Sequence, residues 1–259
     1  MESGIDDAYR RQLLGVISHI SVLFATWDFL TTLSILRLTR AQPAASELEE
    51  LVRRGYAVFA FDQLGFGSRV LDSKDFYRQH PKWSLMGKMV ADTRAEVDAA
   101  SALEIIGAER VVLAGYSLGA KAGLFTAALD ERVRGVAAVA GVEALRLDTP
   151  SKGTEGARHC SHLHGLVPRF GFVTGQERRL PIDHDEVIAT IAPRQLLIIS
   201  PKQDRYAPIG DVREVDAAGK AIYGLLGAEE AISFQTPMDF NRFPEATQAQ
   251  IFDWLDRIR

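Results

Sequence analysis

The stretch VVLAGYSLGAKAG at residues 111–123 constrains the fold of this chain more than any other part of the sequence. An apolar run leads directly into a G-x-S-x-G motif centred on Ser117, and small residues follow at helical spacing. Between a strand and a helix, this motif marks a turn so sharp that the serine takes a strained backbone conformation and the flanking positions must be glycine. The stretch therefore predicts a strand, a tight turn that presents the Ser117 hydroxyl at the carboxyl edge of a sheet, and a helix that begins beside it.

Strand and helix patterns alternate from residue 45 onward. Apolar runs predict further strands at residues 56–62, 133–142, 194–200 and 231–236. Amphipathic or capped segments predict helices at residues 45–55, 85–106, 118–130, 183–192, 219–227 and 244–259. This alternation predicts one α/β domain over residues 1–259, with a mostly parallel central sheet and helices on both faces. Residues 144–180 lack periodicity, and we expect them to form an insertion over the edge of the sheet that carries Ser117.

The N-terminal residues 1–44 are atypical. The apolar segment 12–36 is long enough to span a membrane, but it contains His19 and Asp28. An Asp inside a span costs roughly 2.5–3.5 kcal/mol, so we expect buried strands from ISVLFATW or LSILRL and no stable membrane span. Asp6 and Asp7 precede the first arginines, which argues against a secretory signal and favours a cytoplasmic location.

Composition excludes other classes of protein. The formal net charge is −4 and no long basic run occurs, so nucleic acid is not an expected partner. The sequence contains one cysteine, which excludes an internal disulfide framework.

Four segments resemble the α/β-hydrolase family: RRGYAVFAFDQLGFGSR, WSLMGKMVADTRAEVDA, GYSLGAKAG and IAPRQLLIISPKQDRYAP. The resemblance covers residues 50–259 and is strongest with bacterial esterases of the acetyl-xylan-esterase and dienelactone-hydrolase-like branch. It implies the α/β-hydrolase fold and a Ser–acid–His triad without cofactor or metal. Dienelactone hydrolases proper carry cysteine at the elbow, so Ser117 favours ester chemistry over lactone chemistry.

The acid of such a triad holds the imidazole in one tautomer and stabilises its cation. The resemblance implies Asp204, which follows the predicted strand 194–200. Glu143, at the end of the predicted strand 133–142, is the alternative because some relatives place the acid there.

The histidine is the difficulty. In this fold it lies on the loop after the last strand, where this sequence has Asp239 and Asn241 and no histidine. All six histidines precede Asp204 in the chain. Three candidates come to the catalytic edge by topology: His184, at a helix start predicted by a D-x-x-E capping box, and His162 and His164 in the insertion.

The remaining site expectations concern the oxyanion, a metal and the substrate rim. The N–H of Leu118 is one predicted oxyanion donor, and the second comes from residues 28–29 or 39–40. The sequence HCSHLH at residues 159–164 is too short and lacks the carboxylates to predict a zinc site. Three residues are predicted near the rim of the substrate pocket: Arg69, Trp83 and Tyr206.

Taken together, the residues and the resemblance predict a serine esterase that acts on a small-molecule ester through an acyl-Ser117 intermediate, with no cofactor. Two alternatives use the same residues. One is a catalytically impaired hydrolase fold that acts as a binding protein, favoured by the missing histidine. The other is an acyltransferase that uses the same serine.

Overall fold

The computed structural model describes residues 20–26, 46–66, 69–102, 111–149, 156–163 and 165–259. The strands within these residues are β1 Ile20–Thr26, β2 Tyr56–Asp62, β3 Val111–Tyr116, β4 Val133–Val139, β5 Gln195–Ile199 and β6 Ile232–Gln235. They form one parallel sheet in the order β2-β1-β3-β4-β5-β6. The predicted parallel α/β architecture is confirmed.

The helices are α1 Ser46–Arg53, α2 Phe76–Gln79, α3 Leu85–Ser101, α4 Leu118–Leu129, α5 His184–Ile191, α6 Ile209–Leu225 and α7 Glu245–Ile258. Helix α3 ends at Ser101, and most of its predicted continuation to residue 106 lies outside the described residues. The predicted start of α6 at residue 219 is wrong, because the helix begins at Ile209. A Cβ at Gly219 would lie 2.9 Å from Ile188 Cγ2, so this glycine marks a close contact between α6 and α5.

Helices cover both faces of the sheet, as the largely apolar strand patterns require. Helices α3, α4, α5 and α6 bury one face, through residues such as Leu124 and Ile188. Helices α1 and α7 bury the other face, through Leu51 and Trp254 among others. The carboxyl ends of all strands consequently meet at one edge, which is where Ser117 lies.

The insertion is built from short irregular turns. Single 3₁₀ turns occur at Leu145–Leu147, Pro168–Val173 and Glu177–Arg179, and a π-helical turn occurs at His159–Leu163. Buried Cys160 and Leu166 pack with Leu118 at the start of α4. The insertion therefore covers the N-terminal end of the helix that follows Ser117.

The structure describes residues 20–26 of the N-terminal segment that was expected to form strands. ISVLFATW does form a strand, β1, between β2 and β3, whereas LSILRL lies outside the described residues. Among the helices that the structure describes, none has the length and apolar character needed to cross a membrane.

Candidate active site

The turn at Ser117 has the strain that the motif predicts. Ser117 lies between β3 and α4 with φ 52° and ψ −113°, a conformation that L-residues rarely adopt. Its N–H donates to the Val139 carbonyl at 2.8 Å, which ties the turn to the end of β4. A Cβ at Gly115 would lie 2.3 Å from the Gly119 carbonyl carbon, so no larger residue fits there. The strain is therefore imposed by the surrounding packing, and it presents the serine at the sheet edge.

The helix N-terminus supplies one donor for an oxyanion. Leu118 is the first residue of α4, and the N–H groups of a first turn have no partner within their own helix. These groups and the helix dipole favour negative charge beside Ser117.

The second oxyanion donor falls outside what the structure describes. Strand β1 pairs with β3 so that Ala25 is level with Gly115, and the chain after Thr26 therefore begins at the elbow. The two candidate pairs, residues 28–29 and residues 39–40, both lie outside the described residues.

Asp204 is buried on the loop after β5, with 7% of its surface exposed. Its Oδ1 accepts from the Tyr206 backbone N–H at 2.8 Å. Its Oδ2 accepts from the Asn241 side-chain amide at 2.9 Å. The carboxylate predicted to orient a histidine is therefore held by an asparagine.

Asn241 lies on the loop after β6, the position that the sequence identified as lacking a histidine. Its Oδ1 accepts from the Tyr116 hydroxyl at 2.6 Å, so a chain of hydrogen bonds runs from Tyr116 through Asn241 to Asp204. The neighbouring Asp239 instead accepts from the Arg242 guanidinium at 2.7 Å, and this contact lowers the pKa of its carboxyl. Of the two polar residues on this loop, Asn241 is the one that contacts Asp204.

Glu143, the alternative acid, is also buried at this edge, where it follows β4. Its Oε1 lies 3.1 Å from Lys121 Nζ, and both side chains are less than a tenth exposed. Lys121 lies one helical turn beyond Ser117, and its N–H donates to the Ser117 carbonyl at 3.1 Å. The sequence analysis missed this ion pair, although a lysine among the small residues of LGAKAGLF was a signal that it faces inward.

The structure confirms the predicted helix start at His184. Asp183 and Glu186 form the capping box, with the His184 N–H donating to Asp183 at 2.8 Å. The Asp183 carboxylate also accepts from the Leu145 N–H at 2.8 Å, which fastens the start of the insertion to α5.

The His184 ring, however, points into the core. It is 1% exposed, and its Nδ1 donates to the Glu143 carbonyl at 2.7 Å. Its Nε2 is buried and has no hydrogen-bond partner among the described residues. Burial lowers the pKa of His184 to about 4, so the imidazole is neutral at pH 7.

The ring of His184 packs beside α4 rather than at the elbow. Its centroid is 5.8 Å from that of Phe125, eight residues after Ser117 and thus roughly 12 Å along the helix axis. The structure shows no hydrogen bond between His184 and Ser117. This geometry does not support His184 as the base.

Of the two candidate insertion histidines, the structure describes His162, and it shows no hydrogen bond between His162 and Ser117. His162 is exposed, and its Nδ1 lies 2.6 Å from the Ser161 hydroxyl oxygen. His164 lies outside the described residues, as does His19. Within the described part of the chain, no three His, Cys, Asp or Glu side chains are grouped as metal ligands would be.

The predicted rim residues have separate environments. Arg69 forms an ion pair with Asp92 at 2.9 Å, so it supports the loop after β2. Trp83 is half exposed. Tyr206 lies under the Arg205 guanidinium, 4.6 Å from ring centroid to Cζ, directly beside Asp204.

The arrangement brings a strained serine, an oxyanion donor and two buried carboxylates to one sheet edge. Between Ser117 and any described side chain, however, no hydrogen bond is formed, so none of the described residues is in place as its general base. Base catalysis typically contributes 10²–10⁴-fold to a rate. At this edge, the buried Asp204 carboxylate is contacted by the Asn241 amide.

Comparisons with known proteins find similarity to esterases. A family model described as "Glucuronyl esterase, fungi" matches residues 42–227. One curated relative, the "Putative hydrolase YtaP" of Bacillus subtilis (strain 168), is 24% identical over 185 residues, which cover 70% of this chain and 58% of the relative. Another, "Carbohydrate esterase MZ0003" from an unknown prokaryotic organism, is 25% identical over 195 residues, covering 70% of this chain and 45% of the relative. The matches thus span about half the length of these relatives.

Solved structures share the fold. A glucuronoyl esterase from Solibacter usitatus superposes with a TM-score of 0.71 at 16% identity, covering 92% of this chain and 73% of the other. A carbohydrate esterase family 15 glucuronoyl esterase from Caldicellulosiruptor kristjansonii gives a TM-score of 0.69 at 20% identity, covering 94% and 69% of the two chains.

Proposed function

The chain belongs to the glucuronyl esterase family, and from that membership we propose that it is a serine hydrolase that cleaves carboxylic esters through an acyl-Ser117 intermediate. One observation carries the proposal: the strained Ser117 at the carboxyl edge of the sheet, held between β3 and α4. A positive φ at a serine is retained only where the surroundings enforce it, and such strain concentrates at functional sites.

In the proposed reaction, the Ser117 oxygen attacks the ester carbonyl. The tetrahedral oxyanion accepts a hydrogen bond from the Leu118 N–H, and the alcohol leaves with the serine proton. Water then attacks the acyl-serine ester, which releases the carboxylic acid and restores the hydroxyl.

The proton acceptor is where this chain departs from the Ser–acid–His triad that the α/β-hydrolase resemblance implies. We propose that Asn241 occupies the position of the triad histidine, because it is the side chain that donates to Asp204. An amide does not titrate near neutral pH, so the Asp204–Asn241 pair orders the site without accepting the proton. The expected consequence is slow turnover, lower than that of a complete triad by the share that a general base contributes, about 10²–10⁴-fold.

The substrate class follows from the names of the similar proteins. They are described as glucuronoyl esterases and as a carbohydrate esterase. We therefore propose an ester of a carbohydrate carboxylic acid as the substrate.

Hydrolysis of benzyl glucuronate and of p-nitrophenyl acetate tests this proposal. Ser117→Ala should abolish both activities, while Ser101→Ala, which changes the serine at the end of α3, should leave them within twofold. Activity of Ser117→Ala within a few-fold of the wild type would remove Ser117 from the mechanism. A preference for p-nitrophenyl acetate over the glucuronate ester would contradict the substrate class alone.

A second candidate is an ester-binding protein of this family that does not hydrolyse the ester. It is favoured because none of the described side chains forms a hydrogen bond with Ser117. It predicts saturable binding of benzyl glucuronate with no release of benzyl alcohol. Product analysis distinguishes acyl transfer from hydrolysis. A glyceryl ester or an amide in place of the free acid would identify a transferase.

A further inference from the structure

A cleft with a volume of about 510 Å³ lies at the edge of the sheet opposite Ser117. Gln195 and Ser233 line it, at the starts of β5 and β6, and the end of α7 closes one side. Because the strands are parallel, these residues lie at the amino edge, about 20 Å from the elbow by the length of β3. The cleft is therefore separate from the candidate active site.

The cleft is lined by three arginines and one carboxylate. Arg134 and Arg257 are exposed, and neither forms an ion pair or a hydrogen bond with any residue that the structure describes. Arg259 donates to the Arg54 carbonyl at 3.3 Å and is partly engaged. Glu230 provides the one carboxylate side chain of this lining.

Arg194, immediately before the cleft residue Gln195, shows what a structural arginine looks like at this edge. Its guanidinium donates to the Ala127 carbonyl at 2.7 Å and to the Val133 carbonyl at 2.8 Å. Arg134 and Arg257 have no such acceptors among the described residues, so their donors are available to a ligand. A guanidinium presents its N–H groups in a planar fork that matches carboxylate and phosphate oxygens.

The backbone places Arg134 at this cleft through an irregularity in the sheet. Val111 pairs with Val133, and Val112 then pairs with Gly135, so Arg134 is an extra residue in β4. Bulges of this kind redirect a side chain, and they are over-represented at functional sites. A Cβ at Gly135 would lie 2.9 Å from Gln195 Cβ, so the floor of the cleft is tightly packed. The exposed Arg134 side chain lies at the rim of the cleft.

We propose that this cleft binds an anionic, hydroxyl-bearing small molecule, with its carboxylate or phosphate on Arg134 and Arg257. Gln195 and Ser233 offer neutral donors and acceptors for hydroxyl groups, and Glu230 accepts from them while disfavouring ligands without a hydroxyl. The volume lies within the range of about 300–1,000 Å³ typical of small-molecule sites. The proposal does not depend on the activity assigned to Ser117.

Isothermal titration at low ionic strength tests it, with glucuronate as the carboxylate probe, glucose 6-phosphate as the phosphate probe and glucose as the neutral one. At least one anion should bind, glucose should not, and the anion that binds identifies the charged group recognised. Arg134→Gln and Arg257→Gln should each weaken binding about tenfold or more, since a charge-assisted hydrogen bond is lost. Arg213→Gln is the matched control, because Arg213 is an exposed arginine on α6 that forms no ion pair with the described residues; it should change the affinity less than twofold.

Thermal melts of all three variants within a few degrees of the wild type show that folding is retained. Failure of both anions to bind would overturn the proposal, as would equal binding of glucose. Binding that persists unchanged in both Arg134→Gln and Arg257→Gln would place the ligand elsewhere and also overturn it.

Discussion

Replacing Asn241 with histidine should convert the site into a complete triad. The Asn241 amide lies 2.9 Å from Asp204 Oδ2, so an imidazole N–H at this position can donate to the same carboxylate. The substitution also removes the amide oxygen to which Tyr116 donates. Nothing else in the elbow changes.

The expected gain in rate follows from adding a general base. General-base catalysis is typically worth 10²–10⁴-fold, which corresponds to about 2.7–5.4 kcal/mol of barrier at 1.36 kcal/mol per tenfold. Asn241→His should therefore raise kcat/KM for ester hydrolysis by at least about a hundredfold. The base works only when neutral, so activity should rise with pH through an apparent pKa near 6–7 that the wild type lacks.

The assay is kcat/KM for p-nitrophenyl acetate and benzyl glucuronate from pH 5 to pH 9. Two controls separate the base from the loss of the amide: Asn241→Gln changes the side chain without adding a base, and Tyr116→Phe removes the hydrogen bond to Asn241. Both should stay within a few-fold of the wild type. A folded Asn241→His variant without a rate gain or a new pH dependence would refute the assignment of this position.

The other predictions concern the buried charged groups. Asp204→Asn in the Asn241→His background should abolish the gain, since losing the orienting carboxylate costs about 10⁴-fold in a well-studied triad; loss in Glu143→Gln instead would make Glu143 the acid. Lys121→Met should lower the free energy of unfolding in urea by about 3–5 kcal/mol, because it leaves Glu143 buried without its ammonium partner. Lys220→Met, which breaks a pair with Asp216 in which the lysine side chain is 52% exposed, should cost less than about 1 kcal/mol. The pKa of His184 is lowered to about 4 in the folded protein, from an ordinary value near 6.5. As pH falls, the unfolded state therefore binds the proton before the folded state does. Up to about 3 kcal/mol of the free energy of unfolding should be lost between pH 6.5 and pH 4. His184→Gln should flatten that part of the stability–pH profile, and an unchanged slope would show that His184 is not the titrating group.

The sequence predicts the sheet and the elbow because each rests on local patterns. Apolar runs of strand length and the two glycines around Ser117 admit few backbone conformations, and the structure follows them. The capping box likewise fixes where α5 begins. The predicted start of α6 was wrong because the first half of this helix has few apolar residues. Two of them, Val212 and Val215, pack in the core, and this packing stabilises the first half as a helix.

The side-chain contacts at the site depend on tertiary packing and could not be read from the sequence. The order of strands brings the loops carrying Asp204 and Asn241 to one edge, but their hydrogen bond joins residues 37 positions apart. His184 shows the same limit, since its backbone position was predicted and the direction of its ring was not. The Lys121–Glu143 pair was missed because a lysine is rarely buried unless it is paired, and Glu143 is distant from Lys121 in the sequence.

The most direct test of the nucleophile is labelling with a fluorophosphonate, followed by mapping of the adduct by peptide mass spectrometry. The account predicts a single adduct on the peptide that contains Ser117, formed slowly in the wild type, faster in Asn241→His and not at all in Ser117→Ala. An adduct that forms at the same rate in Ser117→Ala, or maps to a different serine in the wild type, would contradict the central claim.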